Sequence, residues 1–268
     1  MVFRKNKGTD LKILSKQSFE IIKTLTINHL KIKYKRTTLG FLWSFLNPLL
    51  SVGVISLVFA SIMGMKYSEF VIIFFPAFLA WNFFANSING GTMSIVNNES
   101  LIRKTPINLM IFPLVNVAIN FVEFVLTSIA FIVILVLIGY EPSYHIIYLP
   151  ISIVLIFLIS VGLSLLVSVI STFLRDVGYL ISVFLQLWFY LSPVLYPKDF
   201  IEGKHWLVDI FMTINPMVYF IEMFRNPISY HKPLSFELIM IGIVLAASSL
   251  ALGIYIFNKY RYKLVYRL

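Results

Sequence analysis

Long apolar stretches alternate along the chain with short segments that carry nearly all of its charged residues. A helix needs about 20 apolar residues to cross the hydrocarbon core of a bilayer. The pattern therefore predicts an all-α integral membrane protein with six transmembrane helices. The predicted spans are 40–63, 70–93, 110–138, 147–174, 177–197 and 238–258. No internal repeat or low-complexity linker divides the chain, so we expect one membrane domain over residues 1–268.

The segment 198–236 departs from this pattern. It is apolar in patches, but it carries several charges and three prolines, and its longest charge-free piece is 210–221. That piece is too short to cross the hydrocarbon core. Broken helices at membrane depth are tolerated where protein covers them. We therefore expect short re-entrant or interfacial helices here, before the sixth span.

The segment 9–37, before the first span, has a third kind of pattern. Apolar residues such as Phe19, Ile22 and Leu25 fall near helical spacing, and lysines lie among them. This arrangement is typical of an amphipathic helix that lies at the membrane surface. The alternative is a basic tail that only fixes the orientation of the protein.

Composition and charge support a membrane protein with its N-terminus in the cytoplasm. Hydrophobic residues make up 59% of the 268 and charged residues only 13%, whereas soluble domains carry about 25% charged residues. With a cytoplasmic N-terminus, 17 of the 22 Lys and Arg residues fall on the cytoplasmic side, as the positive-inside rule requires. Both termini are then cytoplasmic. The same bias explains most of the net charge of +10 without a nucleic-acid partner.

The sequence shows no site for catalysis, a metal or a cofactor. There is no cysteine, and the four histidines are scattered without a partner at metal-ligand spacing. The phosphate-binding loop G-x-x-x-x-G-K-[ST] is absent, because the single Gly-Lys pair, Gly203 and Lys204, is followed by His205. We therefore expect this chain not to be an enzyme and not to hydrolyse ATP itself.

Glu123 is the one acidic residue placed well inside a predicted span. An ionisable residue inside a membrane is by default a functional candidate. Glu123 is thus either a proton site or a polar contact with Asn120, Thr127 or a neighbouring helix. We favour the polar contact, because the sequence places no second charge at this depth, and proton relays use chains of ionisable groups.

Aromatic residues cluster in the second span and at the end of the fifth. One interpretation is an interfacial belt together with helix packing. The other is a pore wall, since aromatic faces offer large contact surfaces to sugars and a hydrophobic constriction closes an empty pore. The candidate channel residues are Trp43, Phe75, Trp81, Phe84, Trp188, Phe189, Tyr190 and Tyr196.

The loop 97–108, between the second and third spans, has the composition of a docking element. Glu99 and Ser100 favour the start of a short helix, and Pro106 would end it. Leu101 and Ile102 provide an apolar face, followed by the cations Arg103 and Lys104. The alternative is an ordinary positively charged loop.

Four segments resemble one known family. They read LKIKYKRTTLGFLWSFLNPL (30–49), LIRKTP (101–106), FLRDV (173–177) and LWFYLSPVLYP (187–197), the last followed by NPM (215–217). In this order they resemble the permease subunits of type-two ATP-binding-cassette exporters of O-antigen, other lipopolysaccharide glycans and teichoic acid. The four matching segments are distributed over most of the chain.

The resemblance implies a homodimer bound to two copies of a separate ATPase subunit, which would hold ATP and Mg. It implies that Tyr34, Arg175 and Asp176 contact that ATPase together with Glu99, Ser100, Leu101, Ile102, Arg103, Lys104 and Pro106. The cargo would be a polysaccharide on an undecaprenyl-diphosphate carrier. It would pass between the two copies, and 198–236 would form the outer gate. The location would be the inner membrane of a bacterium or archaeon, among its lipids.

Other classes of protein stay open. A small-molecule exporter of the same family would share these motifs. A lipid-linked glycosyltransferase would need surface carboxylates for a metal and diphosphate, and Asp199 and Glu202 are the candidates, without a paired motif. An ion-coupled transporter would need polar groups and broken helices near the middle of the membrane.

Overall fold

The computed structural model describes residues 16–35, 38–105, 107–200 and 203–267, apart from the side chains of Tyr34, Phe41 and Val265. Within these ranges the protein is all-helical. The helices are α1 (Lys16–Tyr34), α2 (Trp43–Met63), α3 (Tyr67–Met93), α4 (Glu99–Lys104), α5 (Ile111–Leu137), α6 (Leu149–Phe173), α7 (Val177–Leu191), α8 (Trp206–Ile214), α9 (Pro216–Ile228) and α10 (Phe236–Arg267). Pro106 and Glu202 lie outside the described residues.

Among the described residues, five helices are long and apolar enough to cross a membrane: α2, α3, α5, α6 with the short 3-10 helix before it, and α10. The bent pair α8–α9 turns by 78° at its break and counts as a sixth element if the two helices act as one span. This sharp break agrees with the short helices expected between residues 198 and 236. The all-α membrane fold predicted from the apolar pattern is therefore confirmed.

Several helix bounds differ from the sequence prediction. The predicted fifth span, 177–197, is helical only over α7, which at 15 residues is about 22 Å long. That is short of the roughly 30 Å hydrocarbon core, and residues 192–197 continue it as non-helical chain. The sixth span, predicted as 238–258, is longer, because α10 extends to Arg267. The described part of the N-terminal segment is helical over α1.

Helix α6 lies at the centre of the bundle and crosses α10 at very close range. A Cβ atom added to Gly162 of α6 would lie 2.4 Å from the backbone carbon of Ser249, and one added to Gly253 of α10 would lie 2.2 Å from the Gly162 carbonyl oxygen. Small residues let helix backbones approach each other in membranes, where the hydrophobic effect does not hold helices together. The two glycines therefore fix this crossing.

The N-terminal helix α1 packs along the first part of α5. Ile111, Val115 and Ile119 are buried at four-residue spacing on α5, and apolar residues of α1, including Ile22 and Leu25, pack against them. This i, i+4 stripe is the expected contact face of a helix. One turn further along α5 stands Glu123, which forms an ion pair with Lys33 of α1.

The bundle has two ends, named here for α4 and α9. At the α4 end, a Cβ on Gly178 of α7 would lie 2.9 Å from the terminal methyl of Met93, the last residue of α3. The turn between α6 and α7 therefore lies beside the chain that leads into α4. At the α9 end, the Tyr140 hydroxyl, in the loop after α5, donates to the carbonyl of Ile228 at 2.5 Å.

Candidate functional site

Helix α4 is the short helix expected in the loop after the second span. Glu99 lies in its first turn, where a carboxylate interacts favourably with the helix dipole. Its side chain pairs with Arg103 across one turn at 2.8 Å. The Thr105 hydroxyl donates to the carbonyl of Leu101 at 2.7 Å, which satisfies a carbonyl at the helix end. The loop is thus a preformed helix held by its own polar contacts.

The two faces of α4 have different surroundings. Leu101 and Ile102 are half-buried and pack against the main apolar core. The apolar pair expected to offer a free docking face therefore also holds α4 on the bundle. Ser100, Arg103 and Lys104 are the exposed residues, so they form the surface that another protein would meet.

The second predicted contact segment lies at the same end. Arg175 and Asp176 are exposed in the turn between α6 and α7, and Asp176 directly precedes α7. The close approach of Gly178 to Met93 places this turn next to the end of α3. The structure therefore brings the two segments to one end of the bundle. The side chain of Tyr34 lies outside the described part, so its position is not assigned.

Four of the predicted channel aromatics meet in one cluster between α3 and α7. The ring of Trp81 lies 6.1 Å from Trp188 and 5.7 Å from Phe189, and Phe84 lies 5.4 Å from Trp188, all edge to face. This geometry is favourable for aromatic pairs. Phe84 has no exposed surface and Trp81 has 5%, so within one protomer they pack against neighbours. Trp188 and Phe189 are half-buried.

The other predicted channel aromatics are dispersed. Phe75 is fully buried, with its ring 4.4 Å from that of Phe131, so it is a packing residue in this conformation. Tyr190 and Trp43 are exposed, and Trp43 lines a separate cavity beside α2. The Tyr196 hydroxyl donates to the carbonyl of Tyr190 at 2.9 Å. Tyr190 and Trp43 present the largest free surfaces of the eight.

Asn215, at the break between α8 and α9, joins the aromatic cluster to these helices. Its side-chain oxygen accepts from the indole N–H of Trp188 at 2.8 Å and from the backbone N–H of Met217 at 3.0 Å. The second bond caps the N-terminus of α9. Its amide group donates to the Ser192 hydroxyl at 2.9 Å. One buried side chain thus connects α7, the segment after it and the break.

Arg225 of α9 is completely buried and binds main-chain carbonyls that no helix satisfies. Its guanidinium donates to the carbonyls of Val194 at 2.8 Å and Tyr196 at 3.1 Å. Both lie in the non-helical segment after α7, and backbone at membrane depth must find its hydrogen bonds inside the protein. Arg225 therefore supports the chain where the fifth helix stops early.

The same arginine reaches a proline-containing turn of α3. Pro76 lies inside α3 and has no N–H to donate to the carbonyl of Ile72, four residues earlier. The hydroxyl of Ser229 donates to that carbonyl at 2.7 Å, and Arg225 Nε donates to the adjacent carbonyl of Ile73 at 3.0 Å. Arg225 of α9 and Ser229 just after it thus supply donors at the turn where the proline removes one.

Tyr230, just after α9, lies near this arrangement. Burial raises the pKa of its hydroxyl to about 12, although the charge of Arg225 opposes the increase. The hydroxyl is therefore neutral at physiological pH.

Glu123 makes the polar contact favoured for it, but with a partner that the sequence pattern did not identify. Its carboxylate pairs with the ammonium of Lys33, and its main-chain carbonyl accepts from the Thr127 hydroxyl at 2.9 Å. A second charge therefore accompanies Glu123. Lys33 was missed because it belongs to the basic N-terminal helix, 90 residues away.

Sequence reasoning also missed the roles of Arg225, Ser229 and Asn215. A usable signal was present for two of them. Asn215 directly precedes Pro216, which is the pattern of a capped helix start. Arg225 lies in a largely apolar segment, where an arginine must find polar partners. Its partners are main-chain carbonyls, which a sequence pattern does not reveal.

These features define a polytopic helical membrane protein with a preformed short helix at one end and a broken helix pair at the other. Residues 20–229 match the family described as ABC-2 type transporter. The chain therefore belongs to the ABC-2 type transporter family.

Individual relatives match over most of their length. An O-antigen export system permease protein RfbA of Klebsiella pneumoniae is 29% identical over 251 residues, which cover 91% of this chain and 93% of the relative. RfbA of Myxococcus xanthus is 30% identical over 195 residues, covering 73% and 75%. The capsule polysaccharide export inner-membrane protein CtrC of Neisseria meningitidis serogroup B is 24% identical over 266 residues, covering 90% and 96%.

Proposed function

We propose that this chain is the channel-forming permease subunit of a polysaccharide exporter. The cargo is a glycan of the O-antigen or teichoic-acid kind on an undecaprenyl-diphosphate carrier, and it crosses the inner membrane. Two copies of the chain form the channel, and two copies of a separate ATPase subunit, which binds ATP and Mg, drive transport. Membership of the ABC-2 family, with relatives named for O-antigen and capsule export, supports this proposal.

The observation that carries the proposal is the position of α4. It is exposed on one side, anchored to the core on the other by Leu101 and Ile102, and follows α3 after one short 3-10 helix. A long helix that moves as a rigid body transmits a displacement at one end to the other. Helix α3 carries Trp81 and Phe84 of the aromatic cluster and, further on, Pro76 beside α9. A push on α4 therefore has a direct path to these elements.

The proposed orientation places the α4 end in the cytoplasm. This end carries Arg103, Lys104 and Arg175, and the last helix ends with Lys259, Arg261, Lys263 and Arg267. Cytoplasmic loops are rich in Lys and Arg. The ATPase would then meet Ser100 and Lys104 of α4 and the turn at Arg175 and Asp176, and α8–α9 would face outward.

The experiment that tests the function is genetic. Deletion of this gene should abolish surface display of the long glycan while glycan synthesis continues inside the cell. Complementation with the wild-type gene should restore display, as measured by immunoblotting of surface glycan. Unchanged display in the deletion strain would overturn the proposal. Loss of small-molecule efflux with normal surface glycan would instead support the small-molecule exporter of the same family.

The role of α4 needs a variant that leaves the bundle intact. Ser100→Trp adds bulk on the exposed face of α4, so it should reduce co-purification with the ATPase and lower export. Lys232→Trp places the same side chain at an exposed position at the α9 end and is the control. Normal ATPase binding and normal export by Ser100→Trp would show that coupling uses another surface.

A further inference from the structure

A cavity of about 440 Å³ lies between α1, α2, α3 and α5, in the half of the bundle nearest α4. Its volume falls within the range of roughly 300–1,000 Å³ that is usual for small-molecule sites. Polar residues from three helices line the cavity, and on each helix their spacing places them on one face. They are Ser44, Asn47 and Ser51 on α2, Asn82 and Asn86 on α3, and Asn120 and Thr127 on α5.

This concentration of polar residues is unusual for apolar spans. A polar side chain inside a membrane is unfavourable unless it has partners, and such residues mark pathways or binding sites. Asn82 and Asn120 donate from their amide groups to main-chain carbonyls of their own helices at 3.0 and 2.9 Å. Those bonds leave the side-chain oxygens of both residues as acceptors. The cavity therefore combines fixed acceptors with hydroxyls that can donate or accept.

Charge distinguishes between the possible ligands. Among the described residues that line the cavity, the charged ones are Lys33 and Glu123, and they pair with each other, so this part of the lining has no net charge. A phosphate or diphosphate needs an excess of donors with positive charge, and a metal cation needs several oxygen ligands with negative charge. A lipid tail would leave the amides and hydroxyls without partners. A neutral ligand with many hydroxyl groups fits this lining best.

Aromatic surfaces complete the lining. Trp43 is exposed, and Phe78 and Phe83 contribute to the same wall. Amides, hydroxyls and a carboxylate can bond the hydroxyls of a sugar, while a flat aromatic face offers contact area to the C–H face of its ring. The cavity thus presents both kinds of surface that a sugar ring requires.

We propose that this cavity is a sugar-binding subsite that holds a neutral unit of the glycan on the cytoplasmic half of its path. The proposal rests on the proposed function for the source of the sugar, but the site itself is assigned from the lining. Asn86, Asn120 and Thr127 bind hydroxyl groups, and Trp43 supports the ring. The Lys33–Glu123 pair holds α1 against α5 and keeps the lining neutral.

The test is protection of a cysteine placed in the cavity. The chain has no cysteine of its own, so Ser51→Cys gives a single reactive thiol in the lining, with Asn47→Cys as a second variant one turn earlier on α2. Permease–ATPase complexes in nanodiscs are treated with a charged, membrane-impermeant methanethiosulfonate. The probes are glucose, galactose, mannose, rhamnose and N-acetylglucosamine, each added separately. Inorganic phosphate and pyrophosphate are added in parallel, and Lys232→Cys, exposed at the α9 end, reports any general effect on the reagent.

At least one sugar should slow modification of both cavity cysteines without affecting Lys232→Cys. Protection follows the factor 1 + [L]/Kd, so a concentration ten times Kd gives about tenfold slower labelling. Protection by phosphate or pyrophosphate alone would mean an anion site and would overturn the proposal. Rapid labelling with every probe would mean a water-filled cavity without a ligand and would also overturn it.

Export measurements separate this proposal from the proposed function. Thr127→Val removes a lining hydroxyl without changing side-chain volume, and Ser128→Ala removes a hydroxyl from the next residue, which is not part of the lining. Thr127→Val should reduce export several-fold when cargo is limiting, and Ser128→Ala should not. Failed protection with normal wild-type glycan export would refute the subsite alone. Sugar protection without any glycan export by the wild type would refute the proposed function alone.

Discussion

Ser229 donates its hydroxyl hydrogen bond to the main-chain carbonyl of Ile72 at 2.7 Å. That carbonyl lies four residues before Pro76 in α3 and so lacks the helical N–H that would normally bind it. A residue 157 positions further along the chain therefore replaces a bond that the proline removes. The same contact therefore joins the proline-containing turn of α3 to the chain just after α9.

This relationship predicts a specific double-mutant cycle. Ser229→Ala should lower the free energy of unfolding by about 1–3 kcal/mol, because it leaves a buried carbonyl without a donor. In a Pro76→Ala background, the substituted alanine supplies an N–H to the same carbonyl, and Ser229→Ala should then change stability by about 0.5 kcal/mol or less. Unfolding in mixed micelles would measure both steps. Equal effects of Ser229→Ala in the two backgrounds would contradict the replacement.

Arg225 should be among the most sensitive positions in the protein. Arg225→Met removes three hydrogen bonds to carbonyls, and bonds to a charged group contribute about 1.5–3 kcal/mol each. We expect a strong decrease in folded protein, measured by fluorescence-detected gel filtration. Arg103→Met is the control, since its exposed pair with Glu99 contributes only about 0.3–0.5 kcal/mol. Similar yields for the two variants would show that the carbonyl contacts are unimportant.

Two variants separate what the ring of Trp188 contributes to stability from what its indole N–H contributes. Trp188→Phe keeps an aromatic ring beside Trp81 and Phe84 but loses the donor to Asn215, which should lower stability by about 0.5–1.5 kcal/mol. Trp188→Ala also removes the packing and should lower it by about 3–5 kcal/mol. If Trp188 also lines the glycan path, Trp188→Phe should retain most export in folded protein. A Trp188→Ala variant that folds and exports normally would exclude that role.

The close crossing of α6 and α10 can be tested with two glycine variants, one at the crossing and one away from it. Gly162→Ala places a Cβ 2.4 Å from the backbone of Ser249, so the two helices must separate and the thermal midpoint should fall. Gly53→Ala, inside α2, meets nothing closer than the Tyr67 hydroxyl at 3.9 Å. It should be neutral or stabilise by up to about 1 kcal/mol, because alanine favours helix. A lower midpoint for Gly53→Ala than for Gly162→Ala would contradict this packing.

The orientation can be tested with two cysteines in the cysteine-free chain. Arg261→Cys, near the end of α10, should react with an impermeant thiol reagent only from the cytoplasmic side. Lys204→Cys, before α8, should react only from outside. The reason is the uneven distribution of Lys and Arg. Labelling of both cysteines from one side would mean that the assumed topology is wrong.

The apolar pattern predicts the number and type of long helices well, because crossing a bilayer demands a long apolar stretch whatever its neighbours are. It overestimates the fifth helix, 177–197. Residues 192–197 are apolar enough for the membrane, but they are not helical. Arg225 instead donates hydrogen bonds to main-chain carbonyls of this segment. A charge pattern places Arg225 in a loop, whereas only tertiary packing shows that it is buried.

The candidate sites were predictable to different degrees. The short helix α4 follows from local residues, since its dipole and capping preferences act within one turn. The meeting of Trp81 with Trp188 depends on how α3 and α7 pack, about which residue types say little. The cavity between α1, α2, α3 and α5 combines residues from four segments, so no single stretch of sequence reveals it. The channel role of the aromatic residues and the docking role of α4 stay predictions.

The pairing of Lys33 with Glu123 sets an order of events during synthesis. Lys33 of α1 is translated before its partner Glu123, which follows 90 residues later. At about 5–20 residues per second, translation of that interval takes roughly 5–20 s. During this time α1 has no α5 to bind, and its basic residues can rest on anionic lipid headgroups. Helix α1 therefore reaches its final place only after α5 has been made, so docking of α1 onto α5 marks the moment when this half of the bundle is complete.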